Sequence, residues 1–102
     1  MNAASASPAP VHPRLAGQTA IITGASSGIG ESVAREMAAA GAAVVVNYRS
    51  HPEDADRIAR EITLGGGRAV PMKADVSREE DVRSMFAQTV EHFGAVDIVV
   101  SN

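Results

Sequence analysis

From residue 19 onward the chain alternates between two apolar spacings. Residues 19–23 (TAIIT) are a short β-branched run and read as a strand. Ile29, Val33 and Met37 then recur at every fourth position with Ala34 and Ala38 beside them, a stripe along one helical face. Gly41 follows as a left-handed stop. Residues 43–47 (AVVVN) are apolar without alternation, the mark of a strand covered on both faces. Ala55, Ile58, Ala59 and Ile62 form a second helical stripe, ended by Gly65-Gly66-Gly67. Residues 68–74 (RAVPMKA) predict a third strand in which Pro71 argues against the assignment or marks a bulge. Ser77-Arg78-Glu79-Glu80 has the form of a capping box. Behind it Val82, Met85, Phe86, Thr89, Val90 and Phe93 make a third stripe, closed by Gly94, and residues 96–101 (VDIVVS) read as a fourth strand.

The predicted order is β-α-β-α-β-α-β. Such alternation gives parallel strands with helices on both faces. The expected fold is α/β, the first half of a Rossmann-type doubly wound sheet with strand order 3-2-1-4.

Composition narrows the function. With 102 residues the chain holds one domain, and its net charge of −3 offers no basic face for nucleic acid. The absence of cysteine removes disulfides, a thiolate nucleophile and most structural zinc sites, and fits a cytoplasmic protein. Residues 1–17 (MNAASASPAPVHPRLAG) are rich in Ala, Ser and Pro, with neither an apolar block nor a basic start. They read as a disordered leader rather than a secretory signal, with the ordered chain starting between Leu15 and Gln18. No window reaches the roughly 18 apolar residues that a membrane span needs.

The first strand runs into Thr23-Gly24-Ala25-Ser26-Ser27-Gly28-Ile29-Gly30 and then a helix. A helix start presents unpaired N–H groups and partial positive charge, and glycines let a phosphate approach the backbone closely. Ser26 and Ser27 add hydroxyl donors. In this strand–loop–helix setting the loop is a candidate seat for a dinucleotide's diphosphate.

The Gly-x-x-x-Gly-x-Gly spacing, with Thr23 before it, resembles the TGxxxGxG fingerprint of the short-chain dehydrogenase/reductase family. The likeness runs through residues 18–102, a partial NAD(P)-binding domain. Ala74-Asp75-Val76 resembles the family's acidic element after strand three, and Ser101-Asn102 the opening of its N-N-A-G element. The resemblance implies that Asp75 accepts a hydrogen bond from the adenine amino group and that Asn102 supports the sheet beside the cofactor. A turn cap at Asp75 and a plain strand end at Asn102 are the alternatives. "VVVNYRS" and "FGAVDIVVSN" are most similar to the oxoacyl-carrier-protein reductase and glucose dehydrogenase type.

Strand two ends Asn47-Tyr48-Arg49-Ser50, with no carboxylate until Glu53. An acid there would bind a ribose 2′-hydroxyl, whereas Arg49 can pair with a 2′-phosphate and Ser50 can donate to it. NADP is therefore the expected cofactor, unless Arg49 is a plain surface charge. NAD stays open as well, because Ser27 stands where the family often carries a second basic residue.

Reactive groups are a different matter. The family resemblance implies hydride transfer between nicotinamide and a carbonyl or alcohol, with a tyrosine acid/base, a lysine four residues on, and a serine. The chain's one tyrosine, Tyr48, has Pro52 at that place. No catalytic residue is assigned here, and in a longer relative these groups would follow Asn102. His12, His51 and His92 lack metal-ligand spacing, and Glu79-Glu80-Asp81 reads as a first helical turn complementing the macrodipole.

The expected function is thus the cofactor-binding portion of such an oxidoreductase, without membrane or nucleic-acid partners. A fragment, a premature stop and a gene-model error fit the sequence equally. The alternative is a non-catalytic nucleotide-binding module or an inert remnant. Strand four would present an open apolar edge, so the fragment is expected to be marginally stable and to self-associate, while a full-length relative would be a homo-oligomer.

Overall fold

The computed structural model describes residues 13–102. The leader expected over residues 1–17 lies mostly outside them. Pro13–Leu15 form a turn of 3-10 helix, and the Leu15 N–H donates to the Ala40 carbonyl at 2.9 Å. Leu15 also packs against the core, at the near end of the range expected for the ordered start.

Seven elements follow: β1 (Thr19–Ile22), α1 (Gly28–Ala39), β2 (Ala43–Tyr48), α2 (Pro52–Leu64), β3 (Arg68–Lys73), α3 (Glu79–Phe93) and β4 (Ile98–Val100). The strands form one parallel sheet in the order β3-β2-β1-β4. This is the doubly wound half that the alternation predicts. Register is set by pairs such as Ile21 with Val45 and with Val99. Asp97 pins the start of β4, accepting from the Thr19 N–H through its carboxylate at 2.8 Å.

Strand side chains alternate between two cores, as the pleat requires. Ala20, Ile22, Val44 and Val46 pack under α1 and α2, where Ala34, Ala38, Ile58 and Ile62 meet them. Ile21 and Val45 face the other way, toward Met85 with Phe86 and Phe93 of α3. Both central strands are therefore covered on two faces, which is why β2 carries four consecutive fully buried residues, Ala43 to Val46, with no polar partner face.

Pro71 sits in regular register opposite Val46. The Ala74 N–H points at Tyr48, donating at 3.0 Å, so by alternation residue 71 presents its nitrogen to the outer edge, where no donor is needed. The bulge is not required. Gly94 closes α3 in the left-handed region at φ 95°, its N–H on the Val90 carbonyl at 2.7 Å.

Three expectations are corrected. Ile29 lies off the buried stripe at 74% exposure, because the inward face of α1 runs through Gly30, Ala34 and Ala38. The capping box does not form. Ser77 donates its hydroxyl to the Asp75 carboxylate at 2.6 Å, and α3 starts at Glu79 behind Arg78, with no side-chain cap. Val90, expected on the third stripe, is 48% exposed, since α3 buries mainly Met85 and Thr89.

Candidate functional site

All four strands end at one edge of the sheet, and the loops leaving them are laced together there. Thr23 receives the Asn102 N–H on its hydroxyl at 2.9 Å and donates that hydroxyl to the Val100 carbonyl at 3.3 Å. Asn102 donates its side-chain amide to the Gly24 carbonyl at 3.1 Å. The loops after β1 and β4 are thus one unit.

The glycines of the first loop have separate tasks. Gly28 holds φ at +62° and opens α1, and a Cβ placed there would meet nothing within 4 Å. The position is therefore uncovered, at a helix start whose first N–H groups have no partner within the helix. Ser27 precedes it in extended conformation with no side-chain cap bond. Gly30 is buried, and a Cβ there would collide with the Gly24 carbonyl and lie 2.7 Å from the Asn102 side-chain nitrogen. It lets the helix close on the strand-end loop. Ser26 is half-buried in the loop, and Ile29 stands exposed beside Gly28.

Across the sheet edge, Tyr48 is half-buried against the α1 and α2 core, while Arg49 and Ser50 are exposed. Tyr48 thus packs partly on the core beside them. Asp75 follows β3 and folds back on itself: one carboxylate oxygen accepts from the Ser77 N–H at 3.0 Å and from its hydroxyl at 2.6 Å. The other lies 3.6 Å from the Arg49 guanidinium. The Ser77 hydrogen bonds, and after them the charges of Arg49 and Arg78, hold the Asp75 carboxyl below its ordinary value. Val76 is exposed next to it.

Asp81 lies with Glu79 and Glu80 in the first turn of α3, as expected, and also accepts the Asp75 N–H at 2.9 Å. Its role is to fix that loop. His51 precedes α2 on the surface and His92 stacks edge-on against Phe93 at 4.5 Å; His12 lies outside the described residues.

Sequence reasoning passed over Asn47. It is 2% exposed, accepts the Gly24 N–H on Oδ1 at 3.1 Å, and donates from Nδ2 to the Ala74 and Met72 carbonyls at 3.2 and 3.3 Å. The available signal was a lone amide at the end of the buried apolar run Val44-Val45-Val46.

A cavity of about 240 Å³ lies between α1 and α2, lined by Arg35, Ala38, Glu61 and Gly67. None of the loop residues above contributes to it.

The family model described as "short chain dehydrogenase" matches residues 18–102. The chain belongs to the short-chain dehydrogenase family. It is 48% identical over 88 residues to a hydroxynaphthalene reductase-like protein of Metarhizium guizhouense, covering 86% of this chain and 33% of that protein. Glucose 1-dehydrogenase 2 of Bacillus subtilis is 44% identical over 88 residues, covering 86% of this chain and 34% of that one. Among solved structures, a hydroxysteroid dehydrogenase from Escherichia coli superposes with a TM-score of 0.83 at 37% identity, covering 89% of this chain and 38% of its own. A dehydrogenase/reductase from Sinorhizobium meliloti gives 0.85 at 40% identity, covering 90% and 36%. The chain spans about a third of the length of the curated relatives it matches. Short-chain dehydrogenase membership and the doubly wound sheet together imply a nicotinamide dinucleotide as cofactor.

Proposed function

We propose that residues 18–102 form the cofactor-binding portion of an NADP-preferring short-chain dehydrogenase/reductase acting on a carbonyl or alcohol. The observation that carries this reading is the uncovered Gly28 at the start of α1, where a Cβ would find no neighbour and no side chain caps the helix. Thr23, Gly24, Ser26, Ser27, Gly28, Ile29 and Gly30 shape the seat for the diphosphate. Asp75 retains acceptor capacity for the adenine amino group beyond its bonds to Ser77, because an ionised carboxylate accepts about four hydrogen bonds. Val76 borders the same ring, and Asn102 braces the glycine loop from β4. Arg49 and Ser50 are both exposed at the end of β2, with no carboxylate at Tyr48, which favours a 2′-phosphate over a bare ribose.

Bound there, the cofactor supplies the hydride. The chain's own residues bind and orient it. The family's serine, tyrosine and lysine have no counterpart among these residues, so the 102-residue chain is expected to bind cofactor without turnover. We read the setting as cytoplasmic, the partners as small molecules and the full enzyme as a homo-oligomer. Among the described residues no helix is long and apolar enough to cross a membrane.

Calorimetric titration of the folded chain with NADPH and NADH tests the reading. Binding of both, with NADPH tighter, is the expected result; no heat with either coenzyme overturns it.

A further inference from the structure

Asn47 occupies a position where neither an apolar nor a charged residue would serve. Its side chain joins two loops that no backbone ladder connects: the glycine loop through the Gly24 N–H, and the segment leading to Asp75 through the Met72 and Ala74 carbonyls. One end must accept and the other must donate. A carboxylate would have no donor for the two carbonyls, and an aliphatic side chain would leave all three backbone groups without this partner. At 2% exposure water does not substitute. The Asn47 backbone carbonyl reinforces the link by accepting the Ala25 N–H at 2.9 Å. On the far side, Asp75 is locked in turn by Asp81 and Ser77.

We infer that Asn47 is a positioning residue that holds the glycine loop and Asp75 in mutual register, so that diphosphate and adenine are gripped as one unit. This rests on the dinucleotide reading of the site. Asn47 acts through Gly24 and Ala74, and the consequence is coupling: occupying the adenine end stiffens the diphosphate end, and removing the amide uncouples them.

Two measurements on the 102-residue chain test this. In the unmutated protein, adenosine 2′-monophosphate carries the adenine and 2′-phosphate but no diphosphate. Its binding is expected to slow amide exchange at Gly24 as well as around Asp75. Protection confined to the Asp75 side overturns the inference. In the second, Asn47→Ala, at a temperature where circular dichroism shows it folded, is expected to weaken NADPH at least tenfold and adenosine 2′-monophosphate less than threefold. The advantage of the whole dinucleotide over its fragment then shrinks. A merely stabilising side chain would leave that ratio unchanged, and an unchanged ratio overturns the inference. If Asn47→Ala does not fold, Asn47→Leu, which fills a similar volume and removes both hydrogen-bonding ends, is judged on the same ratio. Failure of the unmutated chain to bind NADPH or NADH refutes the cofactor reading itself, whereas binding with an unchanged ratio refutes the role of Asn47 alone.

Discussion

Asp75 and Arg49 face one another across the edge of the sheet, carboxylate to guanidinium at 3.6 Å. They leave different strands, β3 and β2, and only the parallel pairing of those strands brings them together. Arg49 is 75% exposed, so this contact holds it weakly and leaves it free to turn toward an anion. A charge-assisted hydrogen bond contributes about 1.5–3 kcal/mol. Arg49→Ala is therefore expected to weaken NADPH by roughly ten- to a hundredfold while leaving NADH within about threefold. Titration of both coenzymes against both proteins checks it, and equal losses would remove Arg49 from the reading of the 2′-phosphate.

Glycine substitutions separate packing from approach. Gly30→Ala drives a methyl group into the Gly24 carbonyl and the Asn102 amide, an overpacking that costs about 1–3 kcal/mol or more. Gly28→Ala meets no neighbour and carries only the left-handed backbone cost of about 1–2 kcal/mol, yet it fills the space above the helix start. Urea unfolding is expected to show the larger loss for Gly30→Ala. Coenzyme titration of Gly28→Ala is expected to show lost binding on a chain that still folds.

The core between the sheet and α2 depends on Ile58, which is fully buried. Ile58→Ala should lower unfolding free energy by about 2–5 kcal/mol, enough to unfold a marginal domain. Leu64, at the end of the same helix, is 80% exposed, and Leu64→Ala should change stability by less than about 0.5 kcal/mol. Denaturant midpoints of the two variants make the comparison.

Acid weakens the fold through two carboxylates. Glu61 is held below its ordinary 4.5 by hydrogen bonding to Arg35 at 2.6 Å, and Asp75 below 3.8 by Ser77. A group whose folded value is depressed contributes stability that is present above its unfolded value and is lost as pH falls through the folded one. The thermal midpoint should therefore change little through these groups from pH 7 down to about 5 and decline below about 4. Glu61→Gln is expected to flatten that decline, and an identical acid limb in the variant would show that the pair contributes nothing. Both carboxylates are exposed enough for the effect to diminish with salt.

The two edges of the sheet are protected unequally. β3 carries Pro71 in an outward position between Arg68 and Lys73, which blocks an added strand. β4 is three apolar residues with Val99 49% exposed. Self-association of the 102-residue chain is expected to run through β4, so Val99→Lys should reduce it in sedimentation velocity, while Lys73→Ala should not.

Much of the fold was legible because each element states its environment locally. Val44-Val45-Val46 demands cover on both faces, Ala55, Ile58, Ala59 and Ile62 share one helical side, and Gly94 can end a helix in the left-handed region. The glycine loop was legible for the same reason, since its spacing concerns neighbours in sequence. Ile29 was misplaced because periodicity alone cannot say which line of a helix face the sheet will cover, and here it covers Gly30, Ala34 and Ala38. Ser77 was misassigned because its hydroxyl had two local partners in reach, the N–H donors of the helix start and the carboxylate acceptor of Asp75, and the turn prevailed.

The sequence by itself determined the alternation of strands and helices, the two-sided burial of β2 and the glycine-rich turn between β1 and α1, all of which follow from side-chain period and glycine conformation within a few residues. Only the tertiary structure decided that Asn47 ties the loops after β1 and β3, that Asp75 faces Arg49, and that Gly30 must be bare to pass Gly24 and Asn102. Those relations join residues from separate strands, and hydrogen bonds between them exist only once the sheet fixes its order and register.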